Sequence, residues 1–132
     1  MIGVDTNVLA RLFVTDNPQQ HAAAKRFFAQ RSPNDPAFVS AVVQAEFVWL
    51  LERTLRFPAA RIVAALQGIL STADFAVEHR DLLEAALLSW AKGPLDLADF
   101  LIAGVAQQAG CEVTVSFDKP AAKRVPGMSL LK

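Results

Sequence analysis

Apolar and polar positions along the chain follow two different periods. Short apolar runs, "IGV" at the start, "AFVS" from Ala37 and "FAVE" from Phe75, predict strands, and "CEVTVSF" from Cys111, rich in β-branched residues, predicts the clearest one. Between them lie longer stretches of helical spacing. "NVLARLF" begins one, and the next opens with Asn17 as N-cap and Pro18 at the first helical position. "AVVQAEFVWLLERTL" and "PAARIVAALQGILSTA", joined by a turn at Phe57-Pro58, predict a helical hairpin. "RDLLEAALLSWAKG" predicts a helix ending at Gly93, and "DLADFLIAGVAQQAG" one closed by Gly110. Strands alternating with helices imply an α/β fold, a parallel sheet covered on both faces, whose sites form at the carboxyl ends of strands. Asp5 and Asp118 fall at two such ends.

Length changes this picture little: 132 residues suit one domain, expected over residues 1–132. Apolar residues make up 53% and charged ones 20%, which argues for a packed core and against disorder. Lys plus Arg and Asp plus Glu are both 13, so contact with nucleic acid has to be local. Cys111 is the only cysteine, which excludes an internal disulfide and a thiolate cluster; it reads as a small core residue. No basic segment precedes the first apolar residues, and the most apolar stretch is too short to cross a bilayer, so a soluble, cytoplasmic protein without a membrane anchor is expected. His21 and His79 are isolated and read as surface or helix-end residues, which weighs against a histidine-held zinc or a two-histidine ribonuclease.

The candidate chemistry lies in the carboxylates. Asp5 and Asp118 each follow a strand and precede a helical pattern, where a helix cap is a sufficient explanation. Asp96 and Asp99 are three apart, which fits a capping box and also places both on one helix face, able to address one ion. Glu46 lies mid-helix, where no cap is needed. Gln44 and Glu46 are about 200° apart around the helix, so a face that exposes Gln44 turns Glu46 inward. A buried Glu46 would call for a cation, either a metal or Arg53. Oxygen ligands without Cys or His suit Mg²⁺ or Mn²⁺, and such a centre hydrolyses phosphodiesters.

Taken together, "DTNVLARL", "SAVVQAEFVWLL", "DLADFLIAGVAQQAG" and "VTVSFDKPAAK" make the chain closely resemble a PIN domain of the VapC-like toxin type, nearly end to end. The resemblance implies that Asp5, Glu46, Asp99 and Asp118 are the acidic catalytic and metal-site residues, with Asp96 auxiliary. It implies that Thr6, Asn7 and Ser116 support them through hydrogen bonds, Ser116 standing where threonine is more usual. It also implies a three-layer α/β/α sandwich around a central parallel sheet, and a divalent-metal-dependent endoribonuclease, usually a homodimer neutralised by a cognate antitoxin.

Arg11 and Lys119, flanking Asp5 and Asp118, are the candidates for phosphate contact ahead of Lys123 and Arg124. "KRFFAQR" reads as a packed Phe27/Phe28 face beside solvated charge. The hairpin over residues 41 to 72 could offer a dimer or antitoxin groove, and core packing accounts for much of the same pattern. Among rivals, an aspartate-phosphorylating phosphatase would need a second Asp where Asn7 stands. A receiver domain would need a phosphoacceptor after "AFVS". A PIN-fold module that only binds RNA or protein is disfavoured by the filled acidic positions.

Overall fold

Strand β1 (Ile2–Gly3) pairs in parallel with β2 (Ala37–Val39), which pairs in parallel with β3 (Phe75–Val77), in the order β1-β2-β3. Helices fill the connections: α1 (Thr6–Arg11) and α2 (Pro18–Ala29) follow β1, while α3 (Ala41–Trp49) and α4 (Ala59–Leu70) follow β2. The computed structural model describes residues 1–90 and 96–132. They fall into two compact units, Met1–Glu78 and His79–Lys132.

In the first unit the local signals work as expected. Asn17 Oδ1 accepts the Gln20 N–H with Pro18 at the first helical position, and Ser40 caps α3 by accepting the Val43 N–H. Helix α1 packs against α2 and α3, and Leu9, Val39, Phe47, Leu51, Ile62, Leu66 and Ile69 are buried. The helical run from Ala41 does not stay α-helical to Leu55: a π-helical turn (Leu50–Thr54) ends it, and the Leu55 N–H donates to the Leu50 carbonyl at 3.0 Å.

The second unit contains α5 (Arg80–Trp90), α6 (Leu97–Gln108), β4 (Thr114–Ser116), α7 (Lys119–Arg124) and β5 (Met128–Leu130), with β4 and β5 paired in parallel. The α5 end expected at Gly93 lies outside the described residues. Gly110 closes α6 as anticipated, with φ of +98°, where a side chain would be strained. The Gly110 N–H donates to the Gln107 carbonyl and the Cys111 N–H to the Ala106 carbonyl, the double bond of a Schellman turn. That turn delivers Cys111 to the surface, so it is exposed and not the core residue its type suggested. Strand β5 has no counterpart in the sequence reading, because three residues after Pro126-Gly127 carry too short an apolar pattern to stand out. Close packing of α5 on α6 depends on Gly104, whose missing Cβ would sit 2.7 Å from a Leu82 methyl carbon.

Every pairing between these strands is parallel and helices occupy the connections, as an α/β architecture requires. No helix among the described residues is long and apolar enough to cross a membrane.

Candidate functional site

Asp5 stands just past β1 as the N-cap of α1, its Oδ1 accepting the Val8 N–H at 3.0 Å. The next residue joins it to the second acidic position: the Thr6 hydroxyl donates to Glu46 Oε1 at 3.1 Å. That hydrogen bond ties the start of α1, just past β1, to the middle of α3. Asn7 is exposed and lines a cavity of about 680 Å³ with Asp5, Arg11, Gln20 and Phe27. Arg11 reaches that cavity while ion-paired with Asp16 and donating through Nε to Gln20 Oε1.

Glu46 reverses one expectation. Gln44 and Glu46 do lie on different sides of α3, but Gln44 is the buried one, 1% exposed, and Glu46 faces solvent. Gln44 can be buried because its amide has partners at the ends of two strands: Nε2 donates to the Val39 carbonyl at 3.3 Å and to the Glu78 carbonyl at 2.6 Å. Its Oε1 is buried without a partner among the described residues. An exposed Glu46 needs no compensating cation, and it forms no ion pair with Arg53. Its claim to a role rests instead on the Thr6 bond and its position near Asp5. Glu78 adds a second tie, its Oε1 accepting the Ala41 N–H at 2.8 Å at the start of α3.

In the second unit Asp96, Asp99 and Asp118 line one cleft of about 210 Å³ with Pro120, Ala121 and Arg124. Asp96 caps α6, accepting the Ala98 N–H at 3.0 Å, and Asp99 in the first turn makes no reciprocal bond, so the anticipated capping box is only half formed. Asp118 caps α7, accepting the Ala121 N–H at 3.0 Å, while the Ser116 hydroxyl accepts the Asp118 N–H at 3.0 Å and fixes the loop that carries the acid. Burial, then Asp96, then Asp118 push the Asp99 carboxyl above its ordinary range. Lys119 is exposed beside Asp118 but does not line the cleft; Arg124, which was ranked behind it, does. Its place on α7, six residues beyond Asp118, was the available signal.

Each cap uses one carboxylate oxygen, and no three Asp, Glu, His or Cys side chains among the described residues are drawn together tightly enough to enclose an ion by themselves. The donor chemistry nevertheless fits a hard divalent cation: all candidate ligands are carboxylates, and the mutual repulsion around Asp99 is what such a cation would relieve. The sequence matches the family model for the PIN domain over residues 2–127, across both units, and the chain belongs to that family. No curated protein matches it. The PIN domain is generally a metal-dependent nuclease fold, typically using divalent ions.

Proposed function

We propose that the chain is an endoribonuclease dependent on Mg²⁺ or Mn²⁺, acting in the cytoplasm as the VapC-like toxin of a toxin–antitoxin pair, with residues 1–132 as one functional domain. The observation that carries this reading is the cleft shared by Asp96, Asp99 and Asp118, with Asp99 held above its ordinary range by burial and then by its acidic neighbours, in a chain of the PIN family. Repulsive carboxylates are costly unless a cation is their partner. Asp5, Glu46, Asp99 and Asp118 fill the acidic positions of the family motif, and Asp96 is the auxiliary acid.

Bound by these carboxylates, a divalent ion would activate a water and offset charge on the phosphodiester during in-line displacement, leaving a 5′-phosphate and a 3′-hydroxyl. The chain's own residues provide the rest. Thr6 holds Glu46, Ser116 holds the Asp118 loop, and the caps keep Asp5, Asp96 and Asp118 at fixed positions on helix starts. Arg11 beside Asp5, and Arg124 and Lys119 around Asp118, supply positive charge for the RNA backbone. A homodimer and a cognate antitoxin complete the proposed assembly.

A second reading, a PIN-fold module that binds RNA or protein without cleaving, is favoured by the caps alone, since they explain three of the acids without catalysis. One experiment separates the two: wild type and Asp5→Asn are expressed in cells lacking any antitoxin, and new RNA ends are sequenced. Discrete new 5′-phosphate ends in the wild type alone support the nuclease. Their absence with folded protein, or 2′,3′-cyclic phosphate ends, would remove it.

A further inference from the structure

Several of the arginines already have an acid: Arg11 pairs with Asp16, Arg31 with Asp35 and Arg80 with Glu84. The turn that joins α3 to α4 is built differently. Arg53, Arg56 and Arg61 lie within nine residues, all are exposed, and none forms an ion pair among the described residues even though Glu52 adjoins Arg53. The backbone between them is irregular. After the π-helical turn the Phe57 N–H folds back onto the Leu51 carbonyl at 2.8 Å, Arg56 adopts a left-handed φ of 57°, and the Arg61 guanidinium stacks 3.8 Å above the Phe57 ring. Both π-helical turns and left-handed non-glycine residues concentrate at functional sites, because the strain persists only where the surroundings impose it.

Trp49 completes the pattern. It ends α3 at 57% exposure, although its neighbours Phe47, Val48 and Leu51 are buried, so the core had room for apolar groups on this element and Trp49 lies outside it. Val42, Glu46, Trp49 and Arg53 are exposed at steps of four, three and four residues, one continuous stripe. From Glu46 to Arg53 that stripe is about 10 Å long at 1.5 Å per residue. We infer that the stripe and the basic turn form a binding surface for single-stranded RNA, which rests on the nuclease reading for the identity of the polyanion: a base stacks on Trp49 and phosphates meet Arg53, Arg56 and Arg61. An aromatic platform flanked by guanidiniums without an ion-pair partner among the described residues is the arrangement that single strands require, whereas the buried core of a protein interface is depleted in charge.

The test measures binding without cleavage, using a fluorescein-labelled mixed-sequence oligoribonucleotide in EDTA, anisotropy titrations and a salt series. In the triple variant Arg53→Gln/Arg56→Gln/Arg61→Gln the slope of log K against log salt should flatten by about 2, three phosphate contacts at about 0.7 each. Trp49→Ala should weaken binding at least about five-fold while Trp49→Phe retains it, since any aromatic ring stacks. RNA should quench the fluorescence of exposed Trp49, and Trp49→Phe should lose that quenching because Trp90 is buried. The exposed pair Lys25 and Arg26 on α2 provides the control: Lys25→Gln/Arg26→Gln removes positive charge elsewhere and should leave the slope unchanged. An unchanged slope in a folded triple variant overturns the inference. So does a wild type that binds no RNA, or a triple variant whose one altered property is its mass in solution, which would make the face an interface between copies. RNA bound as described by a wild type that never cleaves would remove the nuclease and leave this surface standing.

Discussion

Asp5, Asp96 and Asp118 each give one carboxylate oxygen to a backbone N–H, so their structural and chemical roles can be separated by a single atom. Asparagine caps about as well as aspartate, whereas alanine loses the cap at about 1 kcal/mol. Asp5→Asn and Asp118→Asn should therefore melt close to wild type yet cut RNA at least about a hundred-fold more slowly, a loss on the scale of one missing electrostatic partner in a transition state. The alanine variants should lose both. Equal cleavage by wild type and asparagine variants would reduce these acids to caps. Asp99 behaves differently, because its charge in the first turn of α6 favours the helix dipole while burial, Asp96 and Asp118 oppose it, and the opposition prevails, since the carboxyl is raised. A raised carboxyl means that the folded state holds a proton the unfolded chain has released. Its contribution to stability is complete below the ordinary carboxylate range and disappears as pH rises through the raised value. Asp99→Asn should thus melt higher than wild type at neutral pH without metal, by about 0.5 kcal/mol, and flatten the pH dependence between acid and neutral solution. A variant melting lower at neutral pH would show that the dipole wins.

Helix α3 illustrates how far an element can be read before it is seen. Its start at Ser40, the mid-helix position of Glu46 and the opposed directions of Gln44 and Glu46 are all in the periodicity. Which of the two is buried is not, since that depends on the Val39 and Glu78 carbonyls at the strand ends, a tertiary circumstance that no local pattern encodes. Replacing Gln44 by the more apolar Leu should accordingly destabilise, by about 1–3 kcal/mol, because the Glu78 carbonyl loses its side-chain donor while the Val39 carbonyl keeps only the Glu78 N–H. Urea unfolding would measure it; a neutral or stabilising Gln44→Leu would mean that the orphaned Oε1 already cancels what Nε2 contributes. The same limit explains the other differences. Caps at Asn17 and the glycine turn at Gly110 are written in adjacent residues and were legible. The π-helical turn after Trp49, the short strand β5 and the exposure of Cys111 arise from backbone paths that composition does not specify. For the acids, their positions at strand ends and helix starts were legible, while the Thr6–Glu46 bond and the place of Arg124 in the cleft arise from tertiary packing that no local pattern encodes.

Across the whole molecule the formal charge cancels, 13 basic against 13 acidic residues, so neither metal nor RNA is drawn by an overall field and each has to be held by a local group. For the metal this has a thermodynamic consequence that activity assays do not share. A cation that binds the folded carboxylates and not the unfolded chain raises stability by RT ln(1 + [M]/Kd), about 2.7 kcal/mol at a hundred times Kd. Mn²⁺ or Mg²⁺ added to chelator-treated protein should raise its melting temperature in a concentration-dependent way, and EDTA should reverse the shift. Protons compete for the same oxygens, so the shift should shrink as pH falls through the raised range of Asp99, whereas a histidine-held metal site would already lose its ion at a higher pH, in the imidazole range. Asp99→Asn should abolish most of the metal-induced shift while starting from the higher melting temperature of the metal-free variant. That crossing of effects, more stable without metal and less responsive with it, is expected only if the charge on Asp99 is a structural cost retained for a cation. Scanning calorimetry of wild type and Asp99→Asn with and without Mn²⁺ decides the matter. Parallel shifts in both proteins would place the metal elsewhere.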